Sequence, residues 1–424
     1  MASGKAYVIG AGMAGLAAAT ALAARGADVT LFEAGPQAGG RCRSYYDPAI
    51  GAVIDNGNHL VLSGNRAVNA YLARIGARDA LTGPATAMVD FVDLQKDRRW
   101  RLSLSEGFFP AWIFSKTRRV PDSRPADYAR YAKLLWAKRS ATIGEVVKDR
   151  GAVWRGLMHP FLVSALNTEA ESASAALAGA VMRESLARGG AASRPRIAHP
   201  TLAAAFVDPA LRYLEGKGAK VHLGARLRAF TIAGRAARAL EFPDATLPTG
   251  MKDAIILAVN APVAQGLLPG LSAPQDFRAI VNAHFRIAPP APLTGEKGAP
   301  VMLGLIGGTA EWIFIFPDRI STTTSAADRL VDEDREALAV RIWDDVRRAL
   351  KLDAPLPPWQ IVKEKRATFA ATPAEDARRP GPRTPVRNIF LAGDWTRTGL
   401  PATIEGALRS GETAARLAAR HLQL

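Results

Sequence analysis

Four apolar or β-prone residues in a row, Ala6, Tyr7, Val8 and Ile9, predict a buried strand near the start of the chain. The run Gly10-Ala11-Gly12-Met13-Ala14-Gly15 breaks it, and the alanine-rich stretch that follows predicts a helix stopping at Gly26, a good residue for a helix end. Residues 28–32 predict a second strand, closed by Glu33. Further on, the pattern predicts a helix running into a strand over 208–223, a buried strand over 254–259, strand-like pieces including 312–316, and a charged helix over 332–350. A strand over 388–392 and a helix from about 401–403 to 421 end the chain. Residues 86–199 read as mainly helical, and Pro- and Gly-rich 288–300 and 355–358 predict loops. No internal repeat is present.

The first elements carry chemistry. A strand, a glycine turn, a helix and a second strand ending in an acid about 20 positions beyond the glycines form a dinucleotide-binding βαβ pattern. Gly10 permits the tight turn, Gly12 lets a pyrophosphate meet bare backbone, and Gly15 lets helix and strand pack closely. Met13 and Ala14 open the helix, whose amides and positive dipole end face the phosphates, while Glu33 offers an acceptor to a ribose hydroxyl.

Composition narrows the classes. A chain of 424 residues predicts two or three domains, and 48% hydrophobic against 22% charged residues is a core-forming composition. The net charge of +16 favours anionic partners. Zinc-finger spacing, RNA-binding aromatic signatures and basic repeats are missing, so acidic lipid headgroups are expected rather than nucleic acid. The single cysteine, Cys42, excludes an intrachain disulfide and fits a reducing compartment; between Arg41 and Arg43 it reads as a small residue of a nucleotide loop. Lys5 before an apolar run imitates a secretory signal, but the glycine pattern occupies that run, so no export is expected. Residues 255–268 form the greasiest window, interrupted by Asn260, Pro262 and Gln265, so no membrane span is expected. His159, His199, His222, His284 and His421 show no paired ligand spacing, and no metal is predicted.

After Glu33 come Gly39-Gly40-Arg41 and then Asp55-Asn56-Gly57-Asn58-His59; near the far end Gly393-Asp394 follows a strand, and Thr403 opens the last helix. With these the chain resembles the FAD-dependent amine oxidase and phytoene desaturase superfamily. The resemblance implies FAD as cofactor, held by the glycine turn, Glu33, Gly39, Gly40, Arg41, Gly57, Asn58, Gly393, Asp394 and the helix at Thr403. It implies an α/β fold: a discontinuous Rossmann-like FAD-binding domain (1–85, 200–268 and 364–424), an α+β substrate domain (a mostly helical 86–199 and a strand-rich 269–363), and a helical membrane-facing portion.

Middle motifs narrow the match: DNGNHLVLSGN at 55–65, SALNTEAESAS at 164–174, VDPALRYLEGKGAKV, GLIGGTAEWIF at 304–314, and LAGDWTRTGLPATIEGALRSGETAA at 391–415. They resemble the squalene-associated FAD-dependent desaturases known as hydroxysqualene dehydroxylases. That resemblance implies reductive removal of an allylic hydroxyl from hydroxysqualene to give squalene, with an isoprenoid lipid as substrate and an unidentified electron donor. An oxidative carotenoid-type desaturase, an amine oxidase and a non-catalytic flavin-containing lipid-binding protein are the alternatives. The chain departs from the family by Asn58 and Glu311, where members commonly carry glutamine.

His59 is the candidate proton donor, as a residue able to titrate near neutral pH beside the flavin-proximal loop; the alternative is a structural histidine bonded to backbone. Asp55 either orients that loop or is a turn carboxylate. Asn167 and Thr168 are expected to line the cavity, and Trp312 to pack near substrate or fill the core. An anionic membrane is expected to meet GFFPAWIFSKTRR at 107–119, with Phe108, Phe109, Trp112, Ile113 and Phe114 entering the headgroup boundary and Lys116, Arg118 and Arg119 just outside it; the alternative is that these aromatics roof the substrate cavity from within. This predicts a cytoplasmic protein, peripheral on the inner face of the membrane.

Overall fold

Strand Lys5–Ile9 is the middle of a five-stranded sheet whose order is Lys220–His222, Asp28–Phe32, Lys5–Ile9, Ala254–Leu257 and Ile389–Leu391, all parallel. These strands come from stretches far apart in sequence. A parallel sheet covered on both faces needs continuous apolar strands, and Ala254, Ile255, Ile256 and Leu257 are fully buried. Helix Met13–Ala23 is buried along its whole length because it is sandwiched between this sheet and the C-terminal helix Ile404–Leu422. Small residues make that approach possible: a Cβ on Gly411 would run into the backbone of Ala14. The computed structural model describes residues 4–148, 150–290, 293, 295 and 299–424; of the loop expected over 288–300, positions 291, 292, 294 and 296–298 lie outside the described residues.

A second, seven-stranded sheet has the order Trp359–Phe369, Phe277–Phe285, Ile320–Thr324, Trp312–Ile315, Val301–Ile306, Met88–Asp93 and Arg98–Ser103. Its pairs are antiparallel except Val301–Ile306 with Met88–Asp93. Side chains alternate along it with period two. Val281, Phe285, Ile313 and Ile315 meet helix Arg335–Leu350 through Ile342, Trp343 and Val346. Met302, Phe314 and the residues opposite them point to the other face, which looks into the molecule.

Several elements depart from the pattern reading. The region 86–199 carries helices such as Ala175–Glu184, but it also donates the strands Met88–Asp93 and Arg98–Ser103 to the large sheet. Strand Trp359–Phe369 runs through the boundary expected at 363/364. An antiparallel meander, Ala229–Ala233, Ala236–Glu241 and Thr246–Pro248, fills a stretch for which no strand was expected. The charged helix starts at Arg335 rather than 332 because the Asp334 carboxylate accepts from the Ala337 amide at 2.9 Å and so sets its first turn. Among the described residues, no helix is long and apolar enough to cross a membrane.

Candidate functional site

The glycine turn has the geometry a diphosphate needs. Gly10 lies at φ +103°, a conformation that favours glycine, and its amide donates to the Phe32 carbonyl at 2.7 Å. Gly15 packs so close beneath the turn that a Cβ there would run into the Gly10 carbonyl. Gly12 is the opposite case, since a Cβ on it would meet nothing within 4 Å. The space lies before the N-terminus of Met13–Ala23, whose cap has no side-chain acceptor and whose first turn has no acid, so its unbonded amides are available to an anion.

Glu33 is already fixed. One carboxylate oxygen accepts from Ala11 N at 2.7 Å and the other from Gly35 N at 2.8 Å, and each retains a lone pair for a ribose hydroxyl. The second glycine pair closes over the first: Gly39 N donates to the Ala11 carbonyl at 2.8 Å, and a Cβ on Gly40 would sit 3.4 Å from the Gly12 Cα.

Arg41 joins the two ends of the chain. Its guanidinium meets the Asp394 carboxylate at 2.7 Å and also donates to the Ala367 carbonyl. Thr403 caps the C-terminal helix by accepting from Gly406 N at 3.0 Å, which directs that helix end toward the same region as Gly393-Asp394. Cys42 is buried, and burial pushes its thiol up to about 12 against the pull of Arg41, so it is an inert small residue.

Two further carboxylate and guanidinium clamps hold this cradle, and the sequence reading missed both. Arg379 is fully buried. It pairs with Asp376 at 2.8 Å and donates to the carbonyls of Asp394 at 3.1 Å and Thr396 at 3.0 Å and to the Thr398 hydroxyl at 2.8 Å, stapling the loop that carries Asp394. Nothing in the sequence distinguishes it from its neighbour Arg378. Glu405, also buried, accepts from the amides of Ala67 and Val68 at 3.1 and 3.0 Å, tying the start of helix Arg66–Arg74 to the last helix.

Residues 55–59 lie against the inward face of the large sheet. The Asn58 side chain donates to the Thr322 carbonyl at 3.2 Å and the Thr323 hydroxyl at 3.1 Å, and a Cβ on Gly57 would be 2.9 Å from the Asn282 amide nitrogen. The shorter asparagine arm therefore has full work. Asp55 is buried, and its Oδ1 accepts from Ser44 at 2.5 Å and from Leu202 N at 2.9 Å, which ties the loop to the start of 202–207.

His59 takes the backbone-bonded arrangement that the sequence left open. It hydrogen-bonds the Arg41 backbone, and burial together with the Arg41 charge pushes its imidazole down to about 4. This favours the neutral ring at pH 7.

Asn167 and Thr168 are tied into the fold by hydrogen bonds. Asn167, at φ +46° on the end of helix His159–Leu166, donates to Thr368 at 2.9 Å and accepts from Ala326 N at 2.7 Å. Thr168 accepts from Ala371 N at 2.8 Å. Both are buried and spend their polar atoms joining that helix to the large sheet. Trp312 is half-buried on the inward face, edge-on to Phe91, with its indole N–H on Ser164 at 2.9 Å.

The aromatic stretch 107–119 is split. Phe108, Phe109 and Phe114 stand out at 81%, 60% and 60% exposure, with Phe109 and Phe114 stacked on each other. Trp112 is instead buried edge-on against Tyr128, which removes it from any surface contact. Arg118 and Arg119 turn inward to the carbonyls of Ser103 and Ile113 at 2.9 Å, leaving Lys116 outermost. Trp136, also exposed at 79%, escaped the sequence reading because it lies in a basic helical stretch.

Comparison with known proteins adds an independent observation. Residues 13–419 match the family model described as flavin containing amine oxidoreductase. The chain is 52% identical over 412 residues to the hydroxysqualene dehydroxylase of Rhodopseudomonas palustris and 49% identical over 412 residues to that of Sinorhizobium fredii, each match covering 97% of both chains. Among solved structures, a putrescine oxidase double mutant superposes with a TM-score of 0.71 at 18% identity, covering 98% of this chain and 99% of that one. That likeness speaks for the fold.

Proposed function

The chain belongs to the flavin-containing amine oxidoreductase family, and from that premise we propose that it is an FAD-dependent oxidoreductase that reductively removes the allylic hydroxyl of hydroxysqualene to give squalene. The observation that carries this reading is the 52% identity, across 97% of both chains, to a protein named for that reaction. The cradle supports the cofactor: open space before Gly12, helix amides without a cap, and Glu33 and Asp394 anchored with lone pairs to spare.

When bound, reduced FAD supplies a hydride to the carbon that loses its hydroxyl. The remaining tasks fall to side chains. Gly10, Gly12, Met13, Ala14, Gly15, Gly39 and Gly40 receive the diphosphate on backbone, Glu33 takes the ribose, and Arg41 paired with Asp394 holds the far end in register. His59, neutral and bonded through one ring nitrogen to the Arg41 carbonyl, presents its other nitrogen as an acceptor that orients the hydroxyl, which takes a proton derived from solvent and leaves as water. The inward sheet face around Phe314, Met302 and Trp312 supplies an apolar wall that keeps water from the allylic centre. We assign residues 1–85, 200–268 and 364–424 to the cofactor domain and the rest to the substrate domain.

Phe108, Phe109 and Phe114, with Lys116 beside them, form the contact with an anionic bilayer from which so insoluble a substrate is drawn, on the inner face of the membrane. Replacing the three phenylalanines by serine releases the protein from anionic vesicles and leaves FAD bound; equal sedimentation of variant and parent moves the membrane contact elsewhere. The reaction itself is tested by photoreducing the purified yellow protein without oxygen, adding hydroxysqualene and identifying the product by mass spectrometry. Squalene supports the assignment. A product with added double bonds and no squalene assigns an oxidative desaturase instead.

A further inference from the structure

Dehydroxylation, on the reading above, converts R–OH, two electrons and two protons into R–H and water, so electrons must reach the flavin at each turnover. The structure offers a place for their delivery. A cleft of about 680 Å³ lies between the C-terminal helix, helix Arg66–Arg74, the end of helix Ala175–Glu184 and the loop 396–398. Seven arginines and two glutamates line it. The glutamates are spent locally: Glu412 pairs with Arg74 at 2.5 Å, and Glu184 with Arg188 at 3.3 Å and Arg409 at 3.2 Å. Arg183 donates to the Leu135 carbonyl. Arg66, Arg397 and Arg416 are exposed and form no ion pair among the described residues.

The floor of this cleft touches the cofactor loop. Buried Ser410 accepts from Gly393 N at 3.0 Å, buried Thr396 donates to the Gly393 carbonyl at 2.8 Å, and the two hydroxyls lie 2.7 Å apart. One layer of hydroxyls therefore separates the arginines from Gly393-Asp394, the pair assigned to the flavin. No aromatic side chain is among the lining residues, so the cleft has no platform on which a nicotinamide or adenine ring could stack and no anchor to enter a bilayer. What it offers is concave, unneutralised positive charge beside the redox centre.

We propose that this cleft is the docking face for an acidic protein electron carrier, which gives one electron per encounter, is itself oxidised by one electron each time, and visits twice per turnover while the protons come from water. The proposal rests on the dehydroxylation reading, because only a reductive reaction needs such a donor. Charge complementarity of this kind sets encounter rate and its salt dependence more than final affinity.

The test uses the FAD-loaded enzyme and a chemically reduced plant-type ferredoxin as an acidic one-electron probe. Flavin bleaching by reduced ferredoxin and binding of oxidised ferredoxin are measured at low and high salt. The parent and the combined variant Arg66→Glu, Arg397→Glu, Arg416→Glu are compared, with Arg→Lys at the same three positions as the conservative control. The expected result is that both rate and affinity fall about tenfold or more with charge reversal at low salt, fall similarly for the parent at high salt, and survive in the lysine variant. Equal bleaching and binding by the reversed variant overturn the proposal, as does bleaching by NADPH alone as fast as by ferredoxin. Loss of anionic-vesicle binding by the reversed variant with ferredoxin kinetics unchanged also overturns it, in favour of a lipid headgroup. Photoreduced parent and reversed variant are both given hydroxysqualene: squalene from each isolates the defect to electron delivery, whereas its absence from the parent removes the dehydroxylation reading while the binding data still judge the docking face.

Discussion

The phosphate cradle and the substrate side of the site are built from different materials. The cradle at Gly10 to Gly15 and Gly39-Gly40 is backbone: bare amides, close approaches and one open space, with a carboxylate fixed by two amides at its edge. The substrate side is a set of buried and half-buried polar side chains, Asn58, His59, Asn282 and Thr323, where loop 55–59 meets the large sheet. Backbone amides keep their charge character wherever they are placed. Ionisable side chains do not: burial moves His59 down to about 4 and, beside Ser325 at the end of a sheet strand, Glu311 up to about 7. The lesson is that cofactor binding depends on shape at a few positions, whereas the protonation state of the reacting region depends on packing contributed by the whole chain.

The largest effect is expected on the cradle. Gly12→Asp puts a carboxylate into the open space that the diphosphate needs, and charge repulsion with steric conflict abolishes FAD binding. Flavin absorbance of the purified variant checks this, and full occupancy would misplace the cradle.

Next comes the staple behind the cradle. Arg379→Ala leaves Asp376 buried without its partner and frees the Gly393 to Thr398 loop, at a cost of about 3–5 kcal/mol. Urea melts of the variant should show that loss; a loss below about 1 kcal/mol would reduce Arg379 to a spectator.

A smaller effect separates the two regions by pH. Burial pushes the Glu311 carboxyl up to about 7 from its ordinary 4.5, although the Ser325 amide pulls the other way. The folded chain then holds a proton that the unfolded chain gives up, so this group costs stability as pH rises from about 4.5 through 7, by on the order of 3 kcal/mol when complete. Glu311→Gln keeps an acceptor for Ser325 N and removes the charge. Its thermal stability should therefore gain on the parent steadily as the buffer is moved from acid to mildly alkaline, and a pH-independent difference would contradict the burial argument.

The smallest of these concerns His59. If it orients a hydroxyl as a neutral imidazole, His59→Gln lowers turnover about tenfold, roughly 1.4 kcal/mol in the barrier, by the same factor at pH 6 and pH 8. A defect that changes across that range would restore His59 as a titrating acid.

This division explains what could be read from the chain alone. The βαβ turn was legible because its determinants are contiguous: apolar run, glycines, alanine helix, Glu33. The same holds for the strand Ile389–Leu391 before Gly393-Asp394 and the Thr403 cap. His59 and Asp55 were legible as positions with two roles left open for each, since their surroundings, Arg41, Ser44 and Leu202 among them, are contributed by remote segments. For Asn167 and Thr168 a polar pair in an apolar context signals burial, and only the fold shows that Thr368, Ala326 and Ala371 take their hydrogen bonds. Arg379 carried no local signal. The strands Met88–Asp93 and Arg98–Ser103 were hidden in a region read as helical because their charged residues, Asp90 and Arg101 among them, face solvent and pair across the hairpin.

The central claim is that this chain runs its flavin in the reductive direction on an allylic alcohol. The enzyme is loaded with FAD, reduced anaerobically in heavy water so that the solvent-exchangeable hydride position carries deuterium, mixed once with hydroxysqualene in the same solvent, and the product is weighed by mass spectrometry. One deuterium in squalene, formed as the flavin regains its yellow colour, is the predicted result. Unlabelled squalene, or a flavin that stays reduced while the substrate is untouched, would contradict it.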